Sequence, residues 1–306
     1  MTPITHPAAS PAFYPGFRRL DAEAAGVRFA GVVGGEGPPV LLLHGYPQTH
    51  IAWRKVAPDL ARSHTLVIPD LPGYGGSRPD TMQPRWTKRR VAASLVALMQ
   101  SLGHQRFAVV GHDRGARVGY RLVLDHPDAV VAFSSLTVVP TADALSGVDH
   151  RFSRKNFHWF FLAQDADLPE RLLAAAPDAF IDRALASMAG GLERVEPAAL
   201  DVYRAAFRDP AVRHAICEDY RAALTEDLAL DTADRAAGRK LACPVQVLWP
   251  AAEERPDPVT VWSGWADDVT GMPTSGGHLQ PEDAPDEVLA ALRPFLGTHA
   301  RGRAPA

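Results

Sequence analysis

Cysteine is almost missing from this chain. Two thiols in 306 residues, Cys217 and Cys243, offer neither a disulfide framework nor the paired spacing of a metal site. A reducing compartment is the simplest setting, so a cytoplasmic protein without a bound metal is expected. An excess of one charge sign is missing too. Lys and Arg number 32 against 35 Asp and Glu, a net charge of −3. There is no basic footprint for nucleic acid. No apolar run approaches the roughly 18 residues of a membrane span, so no membrane partner is expected. The opening "MTPITHPAASPAFYPGF" has no charged segment leading into an apolar one. It reads as a proline-rich arm, and "THARGRAPA" reads as a frayed tail. No internal repeat is visible.

What is present is an ordinary globular composition, 46% hydrophobic and 22% charged. The length suffices for one core plus an insertion. "FRRLDAEAA" and "VRFAGVV" read as early strands, and "PPVLLLHG" as a buried strand. "THIAWRKVAPDLA" reads as helical, with Ile51, Trp53, Val56 and Leu60 roughly on one face. A strand, "HTLVIPD", leads into a glycine loop. "TKRRVAASLVALMQSLG" is an amphipathic helix stopped by Gly103. "RFAVVGH" and "VVAFSSLTVV" are further strands, the second closed by Pro140.

Short apolar strands alternating with helices predict a mostly parallel, doubly wound α/β sheet. The rhythm stops between residues 141 and 235, where only helical patterns occur, and resumes at "PVQVLWPA". Residues 1–140 and 236–306 are therefore expected to form the α/β core. Residues 141–235 would be a helical cap over the strands' carboxyl ends, where open α/β sheets bind ligands.

"GHDRGAR", residues 111–117, sits between a strand and a helix. That is the context of a nucleophile elbow, with Asp113 where serine is more familiar. The plainer reading is a turn in which Asp113 caps the helix. "HGYP" upstream would bring the Tyr46 N–H to the elbow, where it and the Arg114 N–H form an oxyanion hole; otherwise His44-Gly45 is only a turn. His278 in "SGGHLQPED" follows the last strand and precedes the final helix, the place of a base.

An ionised carboxylate displaces a leaving group at saturated carbon without help from a base. Water activated by His278 would then hydrolyse the Asp113 ester. Arg114 and Arg117, three residues apart on one helix face, could clamp a substrate carboxylate. They could equally form salt bridges, and Arg121 could lie on a solvated face.

With "HGYPQTH", "DLPGYGGS", "GHDRGARVGYRLVLDHP", "FHWFFLAQ" and "DYRA", the chain resembles the fluoroacetate (haloacetate) dehalogenases of the α/β-hydrolase superfamily. The resemblance covers most of the sequence. It implies an α/β-hydrolase fold with an inserted cap, no cofactor, a small-molecule substrate and a homodimer. It implies Asp113 as nucleophile, His278 as base, and Arg114 with Arg117 on the substrate carboxylate. It assigns the halide to His158, Trp159 and Tyr220; without it, "NFHWFFL" would read as aromatic packing.

Two positions depart from the family. Its acid follows the strand after the elbow, where this chain has Thr137. Many α/β hydrolases take that acid from a later strand, so Glu253 in "LWPAAEERPDP", with Glu254 as alternative, is expected to orient His278. Met188 stands where the family walls the pocket with an aromatic, which predicts room for larger 2-halo acids or a weaker grip on fluoride. Two rival functions remain. An epoxide hydrolase would need phenol donors, for which the cap offers Tyr203 and Tyr220. A catalytically impaired homologue would merely bind small carboxylates, and Thr137 is its best support.

Overall fold

The computed structural model describes residues 13–252 and 256–301. It contains a nine-stranded sheet. The strands are β1 (Arg18–Ala24), β2 (Val27–Gly34), β3 (Pro39–Leu43), β4 (Thr65–Pro69), β5 (Arg78–Pro79), β6 (Phe107–His112), β7 (Val130–Leu136), β8 (Val245–Pro250) and β9 (Val269–Thr274). Their spatial order is β1-β2-β4-β3-β6-β7-β8-β9, with β5 beside β2. Pairing is antiparallel at β1/β2 and β2/β4, and parallel from β4 through β3, β6, β7 and β8 to β9. The expected α/β-hydrolase fold is present.

Burial explains the sequence pattern of each strand. Every residue of β6 and β7 is buried, so both read as continuous apolar runs. β1 alternates because one face meets solvent. β9 lies at the sheet's edge and is mostly exposed.

Several local expectations need correction. "THIAWRKVAPDLA" does not form one helix. A 3-10 turn, His50–Trp53, is followed by a short helix, Ala57–Leu60. Pro58 has no N–H for the Arg54 carbonyl, so a continuous helix cannot run through it. β7 ends at Leu136 rather than at Pro140, because Thr137 takes a left-handed conformation, φ 73°. The proline-rich arm is anchored in its described part: Tyr14 is buried and its hydroxyl donates to the His50 carbonyl at 2.6 Å.

Between β7 and β8 the chain runs through a series of helices from Thr141 to Ala236. Leu162, Ile181, Leu185, Tyr203, Phe207 and Ile216 from this stretch join the hydrophobic core of the sheet. No helix among the described residues is long and apolar enough to cross a membrane.

Candidate active site

The elbow is built by glycines. A Cβ on Gly111 would lie 2.5 Å from the Ala116 Cα, and one on Gly115 would lie 2.3 Å from the Leu43 carbonyl oxygen. Only glycine lets the helix Arg114–Asp125 start so close to β6 and β3. Asp113 sits at the joint with φ 49° and ψ −113°, a strained conformation for any residue but glycine. Asp113 does stand at the N-cap position, as the plainer reading expects, but its side chain makes no capping hydrogen bond.

The carboxylate instead faces other groups. The Tyr46 N–H donates to Oδ1 at 2.9 Å. His278 Nε2 lies 3.4 Å from Oδ2, long for a hydrogen bond. Gly45 makes room for this approach, since a Cβ there would be 2.5 Å from the Asp113 Cβ. Burial opposes the charge on Asp113. His278, His112 and Arg114 outweigh it and hold the carboxyl well below the usual carboxylate range.

Arg114 and Arg117 are both buried beside the elbow. Arg114 donates through Nε to Asp219 Oδ2 at 2.7 Å and through Nη2 to the Asp219 carbonyl at 2.9 Å, and lies over the Tyr220 ring. Its Nη1 has no hydrogen-bond partner among the described residues. Arg117 donates through Nη1 to the Val139 carbonyl and to Thr141 Oγ1, and lies over the Trp159 ring. Its Nε has no partner, and among the described residues no carboxylate pairs with it. Burial, with Arg114 alongside, pushes its pKa down. Arg121 is not on a solvated face. It is buried and paired with Asp231 at 2.8 Å and with Asp234.

The three aromatic residues converge on the same place. The His158 ring stacks on Tyr46 with centroids 5.5 Å apart, and Tyr220 stands edge-on to Tyr46, His158 and Trp159. Burial pushes the His158 pKa down to about 4, so the ring is neutral at neutral pH and carries one N–H donor.

Other expected positions fall elsewhere. Tyr203 is buried, but its hydroxyl donates to Glu282, which also pairs with Arg54. Thr137 is buried at the end of β7, its N–H on the Leu248 carbonyl of β8 at 2.8 Å. Met188 is half-buried, and its carbonyl accepts the His278 N–H at 3.1 Å. Glu253 and Glu254 lie outside the described residues. A cavity of about 260 Å³ lies away from Asp113, between Phe160, Gln164, Arg85 and Arg221, with both arginines paired to glutamates.

Sequence reasoning passed over three residues. Asp219 holds Arg114, Lys88 and the Tyr74 hydroxyl together. Lys88 reads as a surface lysine at a helix start, yet it is buried. His112 touches the His278 backbone. "DYRA" contained the one available signal, an acid beside Tyr220.

Comparison with known proteins bears on the fold and the family. A family model described as the alpha/beta hydrolase fold matches residues 38–240. A fluoroacetate dehalogenase from a Burkholderia species is 39% identical, over 94% of this chain and 97% of its own length. Epoxide hydrolase A of Mycobacterium tuberculosis is 30% identical, over 89% of this chain and 94% of its own. Among solved structures, a Pseudomonas aeruginosa protein provisionally described as an epoxide hydrolase is 51% identical. It superposes with a TM-score of 0.91, covering 94% of this chain and 97% of that one. A threonine-to-aspartate variant of a protein so described, from the same organism, has been solved with MFA bound.

Proposed function

This chain belongs to the α/β-hydrolase family, in the branch it shares with the fluoroacetate dehalogenases, and is a hydrolase; from that premise we propose that it converts small 2-haloacids to 2-hydroxy acids and halide. Arg117 carries the reading. A buried guanidinium without a paired carboxylate is costly, and leaving it so makes sense where the substrate supplies the anion. The Arg114 Nη1 offers a second donor to the same carboxylate. A neutral epoxide has no charge to offer either group.

The helices from Thr141 to Ala236 act as the cap. Asp113 Oδ2, on the His278 side, attacks the carbon bearing the halogen. The carbon–halogen bond breaks, and the halide leaves with the electron pair toward His158, Trp159 and Tyr220, each of which brings one N–H or O–H donor. Water deprotonated by His278 then adds to the ester carbonyl carbon, Asp113 Cγ. Charge develops on Oδ1, where the Tyr46 N–H is already placed, with the Arg114 N–H as partner. Collapse breaks the bond between Cγ and the substrate-bound oxygen, and His278 returns its proton to the product hydroxyl. Glu253, three residues beyond the end of β8 in the sequence, is the residue we assign to orient His278.

The second reading, an epoxide hydrolase, rests on relatives of that name. Against it, the Tyr203 hydroxyl is committed to Glu282, so the cap offers no second phenol to act with Tyr220. One assay separates the readings. Purified protein is incubated with fluoro-, chloro- and bromoacetate and with a styrene-type epoxide. Halide release that is abolished by Asp113→Asn is expected. Diol alone would favour the epoxide reading, and no product would leave a carboxylate binder.

A further inference from the structure

We infer that His112 is a positioning residue for the second half-reaction: it holds the carbonyl of His278 while the Met188 carbonyl holds the His278 N–H, and together they fix the backbone of the base. The inference rests on the reading of His278 as the group that activates water against the Asp113 ester. The contacts are short and come from separate parts of the fold. His112 Nε2 is 2.7 Å from the His278 oxygen, and the His278 nitrogen is 3.1 Å from the Met188 oxygen. His112 is the last residue of β6, next to Asp113; Met188 belongs to the helix Pro177–Ala189. The histidine loop is thus tied to the strand that carries the nucleophile and to the helical segment above it.

A carbonyl only accepts, so His112 must carry its proton on Nε2. Nδ1 is buried without a hydrogen-bond partner among the described residues, none of which therefore draws the proton to that nitrogen. Burial keeps the ring neutral, with a pKa pushed down to about 4. The loop needs an external hold. Gly276 and Gly277 precede the histidine, and glycine gives a loop wide conformational freedom. The His278 side chain is about a quarter exposed, 24%, so packing alone does not aim it. The end of β7 carries Thr137 instead of a charged orienting group. Ester formation needs Asp113 and the arginines, whereas ester hydrolysis needs an aimed imidazole. Loss of the His112 contact should therefore separate the two steps.

The test compares His112→Leu with His112→Gln on bromoacetate, following halide in the pre-steady state and the Asp113 ester by mass spectrometry. His112→Leu should keep a first-turnover burst of halide, accumulate ester and lose about 10- to 100-fold in steady-state turnover. His112→Gln, which retains an N–H donor, should recover part of that loss. Unchanged turnover in His112→Leu, or a burst that falls in step with turnover, overturns the inference. Should His112→Leu fail to fold, ring nitrogen chemical shifts of the unmutated protein decide it. The Nε2-protonated tautomer is expected, and the Nδ1-protonated tautomer overturns it. Unmutated protein that gives neither halide nor ester would defeat the dehalogenase reading, whatever the tautomer shows.

Discussion

Asp219 serves four donors from a buried position. Its Oδ2 accepts from Arg114 and from the Tyr74 hydroxyl, its Oδ1 meets Lys88, and its carbonyl takes a second Arg114 N–H. Both cations hold its pKa far below normal against the penalty of burial. Asp219→Ala would leave buried Arg114 without its carboxylate and Lys88 with only Asp227, 3.9 Å away. Such a loss typically costs about 3–5 kcal/mol, to be read from denaturant unfolding. The exposed pair Arg208–Asp178 is the contrast, and its removal should change stability little. Comparable effects at the two sites would refute this account of Asp219. None of the pairing was legible along the chain. Arg114 and Asp219 are far apart in sequence, and a lysine at a helix start is usually solvated. Arg121 misled for the same reason. The helix that neutralises it, Glu226–Ala236, arrives only through the fold.

At the scale of elements, the end of β7 separates this chain from the pattern of its family. Thr137 is β-branched yet sits at φ 73°, a region that tolerates aspartate far better. Thr137→Asp should cost little backbone energy and bring a carboxylate to the place where the resemblance expects the acid. If Glu253 orients His278 from the end of β8, then Glu253→Gln should slow ester hydrolysis strongly alone and much less alongside Thr137→Asp. A double-mutant cycle on single-turnover rates measures this. Equal losses in both backgrounds would dispose of Glu253 as the acid. β7 and β8 are neighbours in the sheet, and the Thr137 N–H bonds the Leu248 carbonyl.

For the whole molecule, part of the loss of stability in acid follows from buried histidines, two of them strongly shifted. His112 and His158 are both pushed down to about 4 in the fold, whereas an unfolded histidine titrates near 6.5. Below about pH 6.5 the unfolded chain takes up protons that the fold refuses, so stability falls with pH and levels off below about 4. Each shift corresponds to at most roughly 3 kcal/mol. Asp283 works the other way. Burial and neighbouring Glu282 raise its pKa to about 6, so the fold binds its proton more readily and gains stability as pH falls through the same window. Urea unfolding at pH 7 and 4.5 should show a shallower pH dependence for His112→Gln than for the unmutated protein. Identical slopes would show that His112 is not kept neutral by burial.

Periodicity and punctuation alone determined the α/β class and the broad alternation of strands and helices. Strand burial, a glycine pair around Asp113 and a helix stop at Gly103 are local physics. The convergence of His158, Trp159 and Tyr220 was legible only by resemblance, because their helices are distant in sequence and aromatic spacing suits packing equally well. Tertiary structure alone decided which charges are satisfied. It paired Arg114 with Asp219, Arg121 with Asp231 and Tyr203 with Glu282, and left Arg117 without a carboxylate among the described residues. The reason is physical. A buried charge is defined by what the fold brings within a few ångströms, and sequence distance carries no information about that.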